Sequence, residues 1–478
     1  MPAPPHSSAF PTLTYRAGLA ILRGVAPADA PPWLHPDPRL DALVAVGARY
    51  PELRAWAAEH HIAESSANAT TFDAPLLDPR VPRPAQAEAV ARWLAADRRG
   101  TVVLPTGAGK TLVALLAIHQ TGLNACILVP TRALVAQWFT QLADAFGAEH
   151  VGAFYGDEKE VRALTVTTYH SAFTLLERHG ERFSLLVCDE VHHLGDTATG
   201  EARTWLDALL IAPAAARLGL TATYPDGQDT SLVRALGPMI YRRTIGEMTD
   251  AELARFVVEC VYVDLTPAER ARYDAASTQF DGYAERSGWR EKGATPDDAW
   301  KRFAASARRI PEARRALFAF RERERVVRLA ERKFEVTERV LRMFPHEQAV
   351  LFCGGTDVAM EVSRRLAIPL IGAATPASER HAILAAMREG TLRAVASVRV
   401  LDEGWDVPGA KLGIVLGDST RGGKRQHTQR LGRLLRRQGD QVATLYEIVA
   451  AGTWEFFASK RRGAAVRRVS EGQLGLGL

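Results

Sequence analysis

Cysteine is scarce in this 478-residue chain. Its four cysteines, Cys126, Cys188, Cys260 and Cys353, are scattered, none stands in a C-x-x-C spacing, and each lies in or beside a short apolar run. A lone cysteine in such a setting behaves as a small core hydrophobe, which argues against a disulfide framework, a zinc site or an iron–sulfur cluster. Long apolar runs are missing too. None reaches the roughly 18 uninterrupted residues of a membrane span, and the opening Met-Pro-Ala-Pro-Pro-His lacks a basic n-region followed by an apolar core. These absences predict a soluble cytoplasmic protein with no membrane partner. Nor does one sign of charge dominate: 60 Lys and Arg stand against 55 Asp and Glu, for a net charge of +5 and a pI near 9.1, a mild bias toward a polyanionic partner.

A chain this long is too large for one core, and its hydrophobic fraction of 47% supports about three well-buried domains. Residues 1–75 are rich in Ala and Pro and carry one helical pattern, Leu40 to Ala58, a small N-terminal domain or arm. Between Pro82 and Arg243, β-rich apolar runs such as Thr101-Val-Val-Leu, Ala125-Cys-Ile-Leu-Val and Ser184-Leu-Leu-Val-Cys alternate with helical stretches. That alternation implies a parallel sheet covered by helices on both faces. From Thr266 to Arg332 the pattern turns to charged, arginine-rich helices, and alternation resumes at Gln348-Ala-Val-Leu-Phe-Cys. The expected division is 1–75, an α/β domain over 76–255, a helical insert and linker over 256–335, a second α/β domain over 336–460 and a basic tail over 461–478.

Residues 104 to 111 read Leu-Pro-Thr-Gly-Ala-Gly-Lys-Thr between an apolar run and a helical one, the strand–turn–helix context of a phosphate cradle. Pro105, Thr106, Gly107, Ala108 and Gly109 form the turn, whose glycines let backbone N–H groups approach a polyphosphate. Lys110 reaches the β- and γ-phosphates, and Thr111 holds Mg²⁺ at the helix N-terminus. The usual first glycine is Leu104, so the strict G-x-x-x-x-G-K-T form is not met. A second strand is followed at once by Asp189-Glu190-Val191-His192-His193. Paired carboxylates at a strand's C-terminal end suit phosphoryl transfer: Asp189 holds Mg²⁺ through water, and Glu190 orients or deprotonates the attacking water. His192 and His193, adjacent on one segment, point in different directions and make no metal site by themselves.

With these motifs the chain resembles a superfamily-two helicase over residues 82 to 460. Gln86, after Arg83-Pro-Ala, resembles the adenine-reading glutamine ahead of the motor. Val129-Pro-Thr-Arg-Ala-Leu and Thr167-Thr-Tyr-His resemble motifs Ia and Ib, which implies nucleic-acid backbone contacts from Arg132 and Thr168. Thr221-Ala-Thr resembles motif III, which couples the nucleotide site to the nucleic-acid track. Leu401-Asp-Glu-Gly-Trp-Asp-Val-Pro resembles motif V. Gln429-Arg-Leu-Gly-Arg-Leu-Leu-Arg resembles motif VI, from which Arg433 and Arg436 are implied as arginine fingers. Within the superfamily the chain is most similar to the XPB-type (Rad25-like) DNA repair helicases of archaea and bacteria, through Asp-Glu-Val-His-His-Leu, Leu218-Gly-Leu-Thr-Ala-Thr-Tyr and Val400-Leu-Asp-Glu-Gly-Trp-Asp-Val-Pro. The resemblance implies two RecA-like parallel-sheet motor domains, a thumb-like module at about 268 to 315, and a damage-recognition-like N-terminal arm. It further implies ATP and Mg²⁺ as cofactors, movement on DNA in the 3′ to 5′ direction, nucleoid association in a prokaryote and a structure-specific nuclease as partner. One element departs: where the family carries Arg-Glu-Asp after motif III, this chain has Tyr224-Pro-Asp-Gly, which leaves strand separation without the element the family associates with it.

Arginines concentrate between Lys301 and Lys333, and Arg308, Arg309, Arg314 and Arg315 are the candidates there for phosphate contact. Interspersed glutamates such as Glu322 and Glu324 favour intrahelical pairs in the remainder. Trp289 and Trp300 are open to stacking on bases or to a helical core role. Two alternatives stand beside an ATP-driven DNA helicase or translocase: the motor of a restriction-type complex that moves on duplex without unwinding it, and a DNA-binding scaffold switched by ATP. The hydrolytic set Glu190, Arg433 and Arg436 weighs against the scaffold, because a switch has no need of it.

Overall fold

The computed structural model describes residues 10–65, 71–105, 107–194, 200–224, 230–244, 247–248, 256–288, 296–398, 410–417 and 443–459. The chain divides into two compact units, Met1–Glu252 and Leu253–Leu478. Among the described residues no helix is long and apolar enough to cross a membrane.

The first unit opens with five strands, β1 (Thr12–Arg16), β2 (Leu19–Arg23), β3 (His35–Asp37), β4 (Ala42–Val46) and β5 (Ala63–Glu64), in the order β3-β4-β2-β1-β5; α1 (Tyr50–Glu59) precedes β5 in the chain. The single helix expected over Leu40 to Ala58 is therefore divided. Ala42–Val46 pairs antiparallel with β2 and β3 and buries alternate residues, Leu43 and Ala45. The helix starts only at Tyr50, where Pro51 occupies its first turn. Leu40, Leu43, Val44 and Val46 fit a helical spacing, but the β-branched valines and the pairing on both sides decide for strand.

The same unit continues with α2 (Pro84–Ala95), β6 (Arg99–Val103), α3 (Lys110–Thr121), β7 (Ala125–Val129), α4 (Arg132–Phe146), β8 (Val151–Tyr155), β9 (Glu158–Lys159), β10 (Leu164–Thr168) and α5 (Tyr169–His179). After these come β11 (Leu185–Asp189), α6 (Gly200–Ile211), β12 (Ala216–Thr221), α7 (Thr230–Leu236) and β13 (Met239–Arg242). The sheet order is β13-β6-β12-β11-β7-β10-β8-β9, parallel except for the short β9. All five residues of β7, β10 and β11 are buried, as strands covered on both faces require. Cys126 and Cys188 sit in this interior, where burial pushes the Cys188 thiol up to about 12.

Arg217, near the start of β12, is fully buried. Its guanidinium donates to Ala214 O (3.1 Å), Leu209 O (3.0 Å), Ala235 O (2.7 Å) and Ala212 O (2.9 Å). Several of these carbonyls belong to the C-terminal ends of α6 and α7, where the helix dipole favours a cation. Burial lowers the pKa of Arg217 to about 10, a value that still leaves it charged near neutral pH.

The second unit begins with β14 (Phe256–Val263), then α8 (Pro267–Ser287), α9 (Pro296–Ser306), α10 (Pro311–Arg328) and α11 (Glu331–Met343). It ends with β15 (Gln348–Cys353), α12 (Thr356–Leu366), β16 (Leu370–Ile371), α13 (Ala377–Arg388), β17 (Ala394–Ser397), β18 (Ala410–Leu416) and β19 (Ala443–Ala450). Its sheet is wholly parallel, in the order β14-β19-β18-β15-β17-β16. Successive residues of β15 feed opposite cores, Leu351 one face and Val350 the other. Two expected boundaries change. Residues 256–263, assigned to the helical insert, form an edge strand paired along its whole length with β19. The thumb-like module expected at about 268 to 315 extends further, because α10 runs to Arg328 with Ala313, Ala316, Ala319, Val326 and Val327 buried. Within the insert, α8, α9 and α10 close over Phe280, Phe303 and Ala316, while Tyr273, Val326 and Val327 join Leu265 and Ala450 at its base.

Replacing Arg217 by Met preserves length and removes the donors to four buried carbonyls. Unfolding of the variant by urea should show a loss of at least about 3 kcal/mol. A loss below about 1 kcal/mol would mean that the carbonyls find other donors and that Arg217 does not anchor β12.

Candidate functional site

Parallel strands end on one edge of a sheet, and in the first unit that edge gathers five of the sequence motifs. From one side they follow β6, β12, β11, β7 and β10, in that order. Val103 is level with Thr221, Leu220 with Asp189, and Val129 with Thr168. The loop after β6 is the phosphate cradle. Leu104, in place of the usual first glycine, is fully buried and donates its N–H to Thr221 O at 3.0 Å, so this position extends the ladder rather than turning it. Pro105 and Ala108 are buried. Gly107 and Gly109 take the turn with φ of 84° and 78°, a region that favours glycine. Gly109 is the N-cap of α3, which puts Lys110 and Thr111, both half-buried, in its first turn. Lys110 Nζ donates to Leu104 O at 3.3 Å. Thr106 lies outside the described residues.

Gln86, in the first turn of α2, packs against this loop. Its Nε2 donates to Ala108 O (2.7 Å) and Gly109 O (3.3 Å), and its Oε1 accepts from Arg83 N–H (2.8 Å). The glutamine expected to read adenine is thus bonded to the cradle and only 3% exposed.

Asp189 ends β11, 8% exposed. Burial, then the neighbouring Glu190 charge, push its carboxyl up to about 6, while the Lys110 ammonium and two hydrogen bonds pull the other way. Those bonds come from Trp138 Nε1 to Oδ2 and from the Glu190 N–H to Oδ1, both 2.9 Å. Tyr169 adds a third hold by donating its hydroxyl to Asp189 O at 2.7 Å. Trp138 belongs to α4 and Tyr169 to α5, the two helices that begin at Arg132 and just after Thr168. Trp138 escapes sequence reading because a tryptophan among apolar residues reads as core; Tyr169 lies inside the motif Ib stretch but carries no signal of its partner.

Glu190 adopts φ 51°, uncommon for a residue with a side chain and a frequent sign of a functional constraint. Its Oε2 lies 3.2 Å from His192 Nδ1, and the same nitrogen lies 3.2 Å from Thr221 Oγ1. Thr221 Oγ1 also lies 2.8 Å from Thr223 O, so one hydroxyl links His192 to the backbone of its own segment. Glu190, His192 and the Thr221-Ala-Thr segment are therefore in contact. The rings of His192 and His193 lie together, centroids 4.3 Å apart, instead of pointing in different directions, because both sit on one 3₁₀ turn, Val191–Leu194. Among the described residues no group of three or more His, Cys, Asp or Glu is arranged to hold a metal ion.

Arg132 is exposed at the first position of α4. Thr168 is buried and caps α5, accepting from Ser171 N–H at 3.3 Å and donating to Ser171 Oγ at 3.2 Å, so its hydroxyl is engaged. In the second unit, Arg308, Arg309, Arg314 and Arg315 are exposed around the turn from α9 to α10. Arg314 donates to Ala307 O and Arg308 O at the end of α9, and Arg315 is 3.8 Å from Glu312. Further along α10 the arginines are paired, Arg323 with Asp281 and Arg328 with Asp357. Trp300 packs with Phe303 and Phe320 in the helical core. Arg433, Arg436, Trp289, motif V, Asp226 and the basic tail lie outside the described residues.

Residues 80–226 match the family described as type III restriction enzyme, res subunit, and residues 318–468 match the ERCC3/RAD25/XPB C-terminal helicase family. The chain is 34% identical over 448 residues to the DNA 3′-5′ translocase XPB2 of Sulfurisphaera tokodaii, across 93% of this chain and 99% of that protein. It is 28% identical over 385 residues to the DNA 3′-5′ helicase XPB of Mycobacterium tuberculosis, across 76% of this chain and 60% of that one. Among solved structures, the Pyrococcus furiosus Hef helicase domain superposes with a TM-score of 0.52 at 18% identity, covering 80% of this chain and 98% of its own. S. cerevisiae Dbp5 bound to RNA and ADP BeF3 does so with a TM-score of 0.53 at 14% identity, covering 81% and 87%. These two likenesses establish the fold alone, a pair of RecA-like helicase domains.

Trp138→Phe keeps the buried ring and deletes only the N–H that reaches Asp189. Its melting temperature should stay close to that of the wild type while the rate of nucleoside triphosphate hydrolysis falls about tenfold or more, the worth of a hydrogen bond to a charged group. An unchanged rate would show that Asp189 does not depend on Trp138.

Proposed function

The chain belongs to the XPB/Rad25 family of helicases, and from that premise we propose that it is an ATP-driven DNA translocase, moving 3′ to 5′ in DNA repair. The observation that carries this reading is the order of loops on the first sheet's C-terminal edge. The cradle and the carboxylates are followed directly by the helices that begin at Arg132 and just after Thr168, so one edge serves both nucleotide and strand.

Gly107, Gly109 and the first turn of α3 bind the triphosphate through backbone N–H groups, and Lys110 reaches its terminal phosphates. The donor set fits Mg²⁺: the Thr111 hydroxyl and the Asp189 carboxylate are hard oxygen ligands, and a carboxylate buried beside Glu190 is stabilised by a cation. When bound, Mg²⁺ neutralises charge on the phosphate oxygens. Glu190 orients the attacking water and accepts its proton. Arg433 and Arg436 supply positive charge to the transition state. His192 carries the state of Glu190 to Thr221 and Thr223. Arg132 and Thr168, with Arg308, Arg309, Arg314 and Arg315 of the helical module, contact the DNA backbone; the engaged Thr168 hydroxyl leaves its contribution to the start of α5.

In this assignment residues 1–75 form a damage-recognition-like arm, α8 to α10 the thumb-like module, and a structure-specific nuclease is the partner. The match of residues 80–226 to a restriction subunit keeps one rival, a motor that moves on duplex without opening it. ATP hydrolysis measured with single-stranded, forked and duplex DNA and with RNA tests the assignment. Wild-type turnover should rise with DNA and not with RNA. Lys110→Ala should abolish turnover in a folded protein, and Glu190→Gln should still bind ATP while hydrolysing it on the order of 10²-fold more slowly. Stimulation by RNA alone, or wild-type turnover in Lys110→Ala, would refute it.

A further inference from the structure

Helix α10 buries one side, Ala313, Ala316, Ala319, Val326 and Val327, against the rest of its module. The opposite side is a row. Arg314, Phe318, Arg321 and Arg325 follow one another at intervals of four, three and four residues, and each is exposed. With 3.6 residues per turn these positions stay within about 60° of arc, and at 1.5 Å per residue they span roughly 16 Å. Phe318 is 60% exposed, an aromatic ring left in water on a helix whose core contacts lie on its other face.

The arginines of this row are little neutralised. Arg314 bonds backbone carbonyls, Ala307 O and Arg308 O, and neither it nor Arg321 pairs with a carboxylate among the described residues. Arg325 is 3.5 Å from Glu322, whose carboxylate already accepts from Arg272 Nε at 3.0 Å. A single exposed apolar side chain is ordinary. This one has a guanidinium group one turn away on either side, and a purely apolar partner would have to strip both of water. A nucleotide meets both demands, with phosphate oxygens for the guanidinium groups and the flat face of a base for the ring. In a duplex those faces are covered by their neighbours in the stack, so the ring finds a base only where the strand is single.

We propose that Arg314, Phe318 and Arg321 form a binding site for single-stranded DNA, in which the Phe318 ring stacks on an unpaired base and the two guanidinium groups hold the flanking phosphates. The proposal rests on the reading of this chain as a DNA motor. It goes beyond the backbone contacts assigned there to Arg308, Arg309, Arg314 and Arg315, because backbone contact is blind to pairing and a stacked ring is not. The two kinds of contact also differ in their response to salt. Each phosphate contact on a single strand releases counterions and contributes about 0.7 to the log–log salt slope, whereas stacking contributes nothing to it.

The test is equilibrium binding of the full chain to fluorescent single-stranded and blunt duplex oligonucleotides of equal length over a series of salt concentrations. The proteins are the wild type, Phe318→Ala, Phe318→Trp and Arg321→Gln. Alanine is a good helix former at an exposed position, so Phe318→Ala should keep the fold. It should weaken binding to the single strand by about 5- to 150-fold, the worth of one base stacked on an aromatic ring, with the salt slope and the duplex affinity unchanged. Phe318→Trp should bind the single strand at least as tightly as the wild type. Arg321→Gln should lower the slope on the single strand by about 0.7. Wild-type affinity of Phe318→Ala for the single strand overturns the proposal and leaves the ring as a contact for a protein partner. Equal losses on single strand and duplex overturn it as well, as does an unchanged slope in Arg321→Gln, which keeps the ring in place. A wild type that binds duplex and no single strand defeats this proposal alone and spares the motor reading. If the wild type binds neither, the reading of the chain as a DNA motor fails, and the proposal with it.

Discussion

A carboxylate out of water is costly, and the first unit is arranged around one. Asp189 lies at the end of a fully buried strand with a second carboxyl beside it, and both facts oppose its charge. What offsets them comes from separate parts of the chain: the Lys110 ammonium from the cradle, the Glu190 N–H from the next residue, the indole of Trp138 from α4. Because α4 begins at Arg132, the proposed DNA contact lies on the same helix as the indole that donates to the carboxylate proposed to hold Mg²⁺. On the other side, Glu190 touches His192 and His192 touches Thr221. In the proposed assignment the nucleotide site meets the strand contacts through Trp138 on one side and through the Glu190–His192–Thr221 contact on the other, both on one sheet edge.

The opposite end of the sheet is held by different means. Arg217 pairs with no carboxylate among the described residues; it is a cation solvated by backbone carbonyls at and just beyond the ends of α6 and α7. Fixing β12 at its start leaves Thr221, at its end, a defined height against Val103 and Asp189. Stability at one edge thereby supports geometry at the other.

How much of this was legible in the sequence follows from the range of each interaction. The cradle and the carboxylate pair are local patterns of residues 104–111 and 189–190, and the α/β alternation around them announces the parallel sheets. The N-terminal sheet was missed because Leu40, Leu43, Val44 and Val46 satisfy a helical spacing, and only pairing with β2 and β3 reveals the strand. The charged helical pattern already reaches Arg332; the thumb-like module that the resemblance places at about 268 to 315 falls short because α10, one helix from Pro311 to Arg328, shows its buried side mostly through alanines, which give little periodic signal. Trp138 and Asp189 are 51 residues apart and Gln86 and Ala108 are 22 apart. Neither spacing leaves a mark in composition or period, so the hold on Asp189 and the engagement of Gln86 are products of tertiary structure alone.

The contact from Glu190 through His192 to Thr221 is proposed to transmit between hydrolysis and DNA. It is tested most directly by the ratio of ATP hydrolysis with saturating DNA to hydrolysis without DNA, for the wild type and His192→Ala. This ratio should collapse toward one in the variant, with the DNA-stimulated rate falling far more than the DNA-free rate. If both rates fall by the same factor and the ratio is preserved, His192 merely supports Glu190, and the coupling drawn here is contradicted.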